Sequence, residues 1–209
     1  MHYNWMDDYL LNKRSVTKDF QPVWNWIRYH IGGKMFAAVC LDDQNQPYYI
    51  NLKVDPTEGE FLISQYKDII PGYYSDKKNW ISIKADGTVL DELLKELLDK
   101  AYHLMLQGFS KKRQREILNF SCCGTECTAC GFYQRECDGC NECMGKVFHA
   151  PEGKACPIYT CSVQKHRFAT CAACEELPCA IWRAIRDPQL SEKEFEKSIQ
   201  ERVQNLKEA

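Results

Sequence analysis

No run of 18 apolar residues occurs anywhere in this 209-residue chain, so no membrane-spanning helix is expected. The opening residues, Met1 to Asp8, have no basic stretch followed by an apolar run. A secretory leader is therefore not expected either, and the expected location is cytoplasmic. Excess charge of one sign is also lacking. The 27 basic and 29 acidic side chains nearly cancel, and residues 1 to 118 hold 16 of each. That balance argues against strong electrostatic capture of nucleic acid or a membrane surface. No Ser/His/Asp order, P-loop or Rossmann fingerprint appears, so nothing in the sequence indicates an enzyme. There is no fixed-period repeat and no low-complexity tract. Cysteine is almost absent from the first 121 residues, where only Cys40 occurs.

The other twelve cysteines crowd into the 58 residues from Cys122 to Cys179. Four pairs are spaced C-x2-C: Cys127/Cys130, Cys137/Cys140, Cys140/Cys143 and Cys171/Cys174. A tight turn lets such a pair place both sulfurs on one ion. Apolar residues are sparse between them, so cross-links are expected to replace a large core here. In a reducing compartment that pattern reads as metal ligation rather than disulfides. The candidate ligands are Cys123, Cys127, Cys130, Cys137, Cys140, Cys143, Cys156, Cys161, Cys171, Cys174 and Cys179. Cys122, His149 and His166 lie among them as further donors. Four thiolates suit zinc, and the ligand count suggests two or three ions. Iron-sulfur chemistry is the alternative, because Cys137-x2-Cys140-x2-Cys143 with a later Cys156-Pro157 partly matches a ferredoxin run. The twelve residues between Cys143 and Cys156 are too many for that run.

This distribution divides the chain into residues 1–110, a linker at 111–120, a cysteine-rich metal-held domain at 121–188 and an amphipathic helix at 189–209. The first part reads as α+β. Residues 4 to 13 have apolar residues at helical spacing, and a loop follows through Pro22. Strands are expected at Trp26–Ile31, Met35–Leu41 and 47–54, the second dense enough in apolar residues to be central. Asp55-Pro56 opens a helix running to about Gln65. Residues 69 to 83 read as strand, polar loop and strand, with Pro71 marking an edge. Thr88-x-x-Asp91 starts the strongest helix, whose stripe is Leu90, Leu93, Leu94, Leu97, Leu98, Ala101 and Leu104. Near the end, a short helix starts at Pro178. Ser191-x-x-Glu194 then caps a last helix that packs Phe195, Ile199, Val203 and Leu206 against the body.

Gly33-Lys34-Met35-Phe36, Ile50 to Pro56, Ile70-Pro71-Gly72-Tyr73, Lys77-Lys78-Asn79-Trp80 and Asp91 to Leu97 with Ala101-Tyr102 resemble, in order and spacing, the MmcQ/YjbR family. The resemblance covers about residues 3 to 115. It implies a CyaY-like α+β fold, an antiparallel sheet with helices on one face, and the description DNA-binding. Cys123-Gly124-x2-Cys127-x2-Cys130, Cys137-Asp138-Gly139-Cys140, Cys156-Pro157-Ile158-Tyr159-x-Cys161 and Cys171-x2-Cys174-x3-Pro178-Cys179 resemble an uncharacterised cysteine-rich family described as zinc-binding. Cys122 and Cys143 fall outside that second pattern.

Lys34, Lys53, Lys77, Lys78 and Trp80, with Lys84, Tyr73 and Tyr74 nearby, are the candidate nucleic-acid contacts, since cations meet phosphates and rings stack on bases. Lysines on a sheet edge also simply discourage strand pairing. Lys111-Lys112-Arg113-x-Arg115 reads as a solvated basic hinge, with contact to a backbone phosphate as the alternative. The expected function is a non-enzymatic binding protein, contacting nucleic acid weakly or a protein partner, with a zinc-stabilised appendage; the alternative is a redox or metal-sensing protein that carries an iron-sulfur cluster or labile zinc.

Overall fold

The computed structural model describes residues 2–186 and 190–207. The chain forms two compact units, Met1–Phe109 and Ser110–Ala209.

The first unit is α+β. Helix α1 (Met6–Leu11) precedes a six-stranded antiparallel sheet made of β1 (Val16–Gln21), β2 (Trp26–Ile31), β3 (Lys34–Leu41), β4 (Pro47–Lys53), β5 (Ile69–Pro71) and β6 (Trp80–Lys84). The strand order is β1-β2-β3-β4-β6-β5. Helix α2 (Pro56–Gln65) lies between β4 and β5, and α3 (Asp91–Gln107) follows β6. Asp55 caps α2 through its carboxylate, which accepts from the Thr57 and Glu58 amides, and Pro56 opens the helix. β3 is interior and β5 is an edge, as its proline requires.

Two local expectations are corrected. Val16–Gln21 is a strand, not a loop. It is largely exposed, so no apolar alternation marks it. It is held by the backbone ladder to β2 and by a bidentate Arg28–Asp19 pair across their register, at 2.8 and 2.7 Å. Thr88 does not cap α3. The cap residue is Leu90, which is 70% exposed, and the Thr88 hydroxyl instead donates to Asp68 at 2.9 Å.

The buried stripe of α3 is Leu94, Leu97, Leu98, Ala101, Tyr102, Met105 and Leu106, and it packs on β2, β3 and β4. Beneath it lie Phe36, Val39, Ile50, Leu52, Ile81 and Ile83. Trp26, Ala38 and Cys40 form a separate small cluster with Met35, Tyr48 and Tyr49. Burial pushes the Cys40 thiol up to about 12, which leaves it protonated and unreactive at neutral pH.

The second unit opens with α4 (Lys111–Leu118), so the stretch read as a linker is helical. Ser110 caps it through its hydroxyl, and Asn119 ends it in the left-handed conformation. Its hinge reading fails for a physical reason: Gln114, Arg115, Ile117 and Leu118 are buried, so this face is packed rather than solvated. Further on come α5 (Pro157–Tyr159), which runs into a π-helical turn (Thr160–Lys165), then α6 (Ala180–Ala184) and α7 (Glu192–Lys207). Leu177–Pro178 is a cis peptide, and α6 begins two residues after it rather than at the proline. The capping box at α7 forms as expected: the Ser191 amide donates to Glu194 at 2.9 Å, and the Glu194 amide to Ser191 Oγ at 3.4 Å.

The cysteine-rich unit does have an apolar core, contrary to the expectation from its central segment. Val147, Ile158, Tyr159, Trp182, Phe195, Ile199 and Leu206 are buried together with Cys122, Cys156 and Cys171. Three of these residues come from α7, outside the cysteine segment. The stripe expected to pack against the body therefore does so, and it completes this core.

Candidate metal centre

Two C-x2-C pairs sit on 3-10 turns. Cys127–Ala129 closes with the Cys130 amide on the Cys127 carbonyl, and Cys171–Ala173 closes with the Cys174 amide on the Cys171 carbonyl, both at 3.0 Å. In a 3-10 turn residues i and i+3 eclipse, so each turn puts its two sulfurs on one side. The Cys137–Cys140 turn differs. Gly139 has φ +81°, and its amide donates to Cys137 Sγ at 3.4 Å. A Cβ there would meet the Tyr133 ring at 3.1 Å, with Cys127 Sγ 3.7 Å away. Glycine thus lets two cysteine turns approach.

The thiols fall around two cavities. Cys122, Cys123, Cys127, Cys130, Cys137, Cys140 and Cys156 line one of about 80 Å³, with His149 on its wall. Cys161, Cys171, Cys174 and Cys179 line another of about 30 Å³, with His166. Cys143 lines neither, and its thiol donates to the Gly139 carbonyl at 3.1 Å. All thirteen cysteines are free thiols.

Electrostatics sort these thiols. Burial, then the charges of Cys123, Cys140, Cys171 and Cys156, drives the Cys122 thiol far up. Burial and neighbouring cysteines likewise push Cys127 up to about 11 and raise Cys140 strongly. Cys123 is the exception. Burial disfavours its thiolate, but the Arg202 guanidinium and hydrogen bonds from Ser121 and Thr125 outweigh that and leave its pKa below the ordinary thiol value. Ser121 Oγ lies 3.2 Å and Thr125 Oγ1 3.4 Å from its sulfur. Arg202 stacks over Trp182 at 4.6 Å, which fixes the guanidinium from α7. Burial also pushes Cys171 up to about 11, although the Ser162 hydroxyl and the Trp182 indole face its sulfur and favour the thiolate.

As their side chains stand, no three His, Cys, Asp or Glu groups among the described residues are gathered tightly enough to hold one ion. The donor chemistry nonetheless fits a soft metal, because unpaired thiols face common cavities and hydroxyl, amide and guanidinium groups face their sulfurs. Sequence reasoning missed Ser121, Thr125, Ser162 and Arg202. Only Arg202 carried a signal: it sits at helical spacing from Ile199 and Leu206, a cation on an apolar stripe.

The proposed nucleic-acid contacts lie in the first unit. β3 begins, β4 ends and β6 begins at the same end of the sheet, so Lys34, Lys53 and Trp80 share that end. Lys53 faces Trp80 across the register, with Nζ 5.8 Å from the ring centre, and Lys34 Nζ lies 4.5 Å from the Phe109 ring centre. Lys77 and Lys78 are in the adjacent turn, where Asp76 accepts from the Lys78 amide and the Asn79 side chain. Lys84 is at the other end, 3.4 Å from Asp68. The Tyr73 and Tyr74 rings meet edge to face at 4.5 Å. The Asn51 side chain donates to the Tyr73 carbonyl at 2.9 Å, and the Tyr73 ring packs on Tyr48 and Tyr49.

Three of the 111–115 cations, Lys112, Arg113 and Arg115, are engaged within their own unit. Arg115 is buried, donating to Asn141 and to the Ala169 carbonyl. Lys112 pairs with Glu142, and Arg113 with Glu116.

A family model described as YjbR matches residues 11–104 and ends before the first cysteine of the second unit. The uncharacterised protein YbdF of Escherichia coli O157:H7 is 33% identical over 89 residues, covering 43% of this chain and 71% of that protein. The uncharacterised protein YjbR of Escherichia coli K12 is 26% identical over 110 residues, or 53% of this chain and 92% of that one. Deinococcus radiodurans protein DR2400, a crystal structure of a DUF419 domain, shares 30% identity with a TM-score of 0.48. That match covers 54% of this chain and 84% of that one.

Proposed function

Since the chain belongs to the YjbR family through its first unit, we propose that it is a non-enzymatic binding protein with two parts. The YjbR-type module contacts nucleic acid weakly, and the cysteine-rich unit is held by zinc. The observation that carries the zinc reading is the gathering of eleven of the twelve clustered thiols around two cavities, all unpaired. Each structural zinc takes four ligands, so this supply corresponds to two or three ions. Donors already face the sulfurs of Cys123, Cys137 and Cys171. Such outer contacts orient metal ligands.

The nucleic-acid reading rests on Lys34, Lys53, Trp80 and the Lys77–Lys78 turn at one end of the sheet. Four cations neutralise few phosphates, so binding at physiological salt is expected at about 10⁻⁵ M or weaker, the non-specific range. Zinc adds to the case for weakness. Four thiolates against two metal charges leave about −2 per site, so two or three sites take the chain from −2 to roughly −6 or −8. Elemental analysis of full-length protein purified without added metal tests the zinc reading. Two or three zinc ions per chain are expected; one or fewer, or stoichiometric iron and sulfide, would overturn it.

A further inference from the structure

We propose that Cys161, Cys171, Cys174 and Cys179 form one self-contained mononuclear zinc site, with Ser162 and Trp182 as hydrogen-bond donors to the Cys171 sulfur. This assignment rests on the zinc reading above and adds which thiols share an ion.

Topology brings the four together. Cys171 and Cys174 eclipse on their 3-10 turn. Cys179 is the residue that leads into α6, just after the cis Leu177–Pro178 bond. Cys161 lies on the π-helical turn Thr160–Lys165, a widened geometry that recurs at functional sites. All four line the same cavity of about 30 Å³. A single water needs about 10 to 15 Å³, so the space is of the size that a lone ion occupies.

A second observation points to a ligand independently. Ser162, on the same π turn, is 3% exposed and lines the cavity, yet its hydroxyl has no partner within ordinary hydrogen-bond geometry. It is the one such side-chain atom among the described residues. A buried hydroxyl left without a partner is destabilising, because it has given up its bond to water. The group it faces is Cys171, which the Trp182 indole also faces. A metal-bound thiolate is a full acceptor where a thiol is a weak one, so an ion at Cys171 gives Ser162 its missing partner. Closing four sulfurs to about 2.3 Å from one zinc requires rotation about their Cα–Cβ bonds. Each thiol releases its proton to solvent as it binds, and no electrons are exchanged.

The test uses full-length protein. Zinc is extracted in stages with a chelator, free thiols are pulse-alkylated at each stage, and the labels are mapped by mass spectrometry. Cys161, Cys171, Cys174 and Cys179 should become reactive together, in a step separate from Cys127 and Cys137. Release in two steps, or in one step shared with Cys127 or Cys137, overturns the assignment while leaving zinc binding intact. Wild-type protein that holds no zinc overturns the underlying reading instead. The Cys161→Ser/Cys174→Ser double variant should hold one ion fewer than wild type. Ser162→Ala should keep the wild-type stoichiometry but lose this ion about 10-fold more readily, the lower end of outer-donor effects. Retention of every ion by the double variant contradicts the proposal.

Discussion

Arg115 is a buried cation whose donors are taken up by Asn141 and the Ala169 carbonyl, so its role is to join distant segments of the cysteine-rich unit. Truncation would strand both acceptors at a cost of about 1–3 kcal/mol each. Arg115→Ala is therefore expected to destabilise this unit by about 2–4 kcal/mol, read from denaturant unfolding; a change within 0.5 kcal/mol would show that the cation is solvated. In the first unit, Asp68 accepts from the Thr88 amide and hydroxyl at 3.0 and 2.9 Å, with Lys84 alongside. These contacts hold its carboxyl below the usual carboxylate range. A depressed folded-state pKa means stability that is present above the ordinary value, about 4, and is lost as pH falls through the lowered one. Urea midpoints of wild type and Asp68→Asn should thus converge as pH drops below about 4. A constant gap between them would refute the linkage.

At the scale of elements, α7 is the part whose importance was least legible. Its capping box and apolar stripe were readable from spacing, but nothing in a local pattern says which body a helix completes. Phe195, Ile199 and Leu206 turn out to close the core around Cys122, Cys156 and Cys171. Gly124 shows how closely α7 docks: it has φ +73°, and a Cβ there would lie 2.3 Å from the Arg202 carbonyl. Gly124→Ala must therefore move the helix. A loss of about 2 kcal/mol or more is expected from left-handed strain plus that clash, whereas Gly131→Ala, with open space around its Cβ, should be near neutral. Equal effects would mean that α7 does not dock there. Most strands and helices of the first unit were legible because burial imprints period 2 or 3.6 on them. β1 was not, since an exposed edge strand held by its ladder carries no such imprint. The candidate metal residues were legible as cysteines, but their grouping was not. A C-x2-C unit is local, while the pairing of Cys161 with Cys171–Cys174 and Cys179 depends on tertiary packing.

Across the whole molecule, the two units draw their stability from different sources. Residues 2–109 bury their own sheet and helix core, whereas the second unit combines a smaller apolar cluster with the free thiols to which the proposed zinc would bind. The nucleic-acid reading belongs at this scale too. Titrating full-length protein with duplex DNA at several salt concentrations should give a slope equivalent to about two to four phosphates. Nanomolar, sequence-selective binding would place the functional surface elsewhere. The most direct test of the central claim is an amide-resolved NMR spectrum of the full-length protein before and after chelation. Metal binding supplies folding free energy to such sites. Cross-peaks from residues 110–207, α7 included, should therefore collapse toward random-coil positions, and those from residues 2–109 should stay in place. Loss of both sets would reveal a shared fold, and a spectrum unchanged by the chelator would contradict a metal-held second unit.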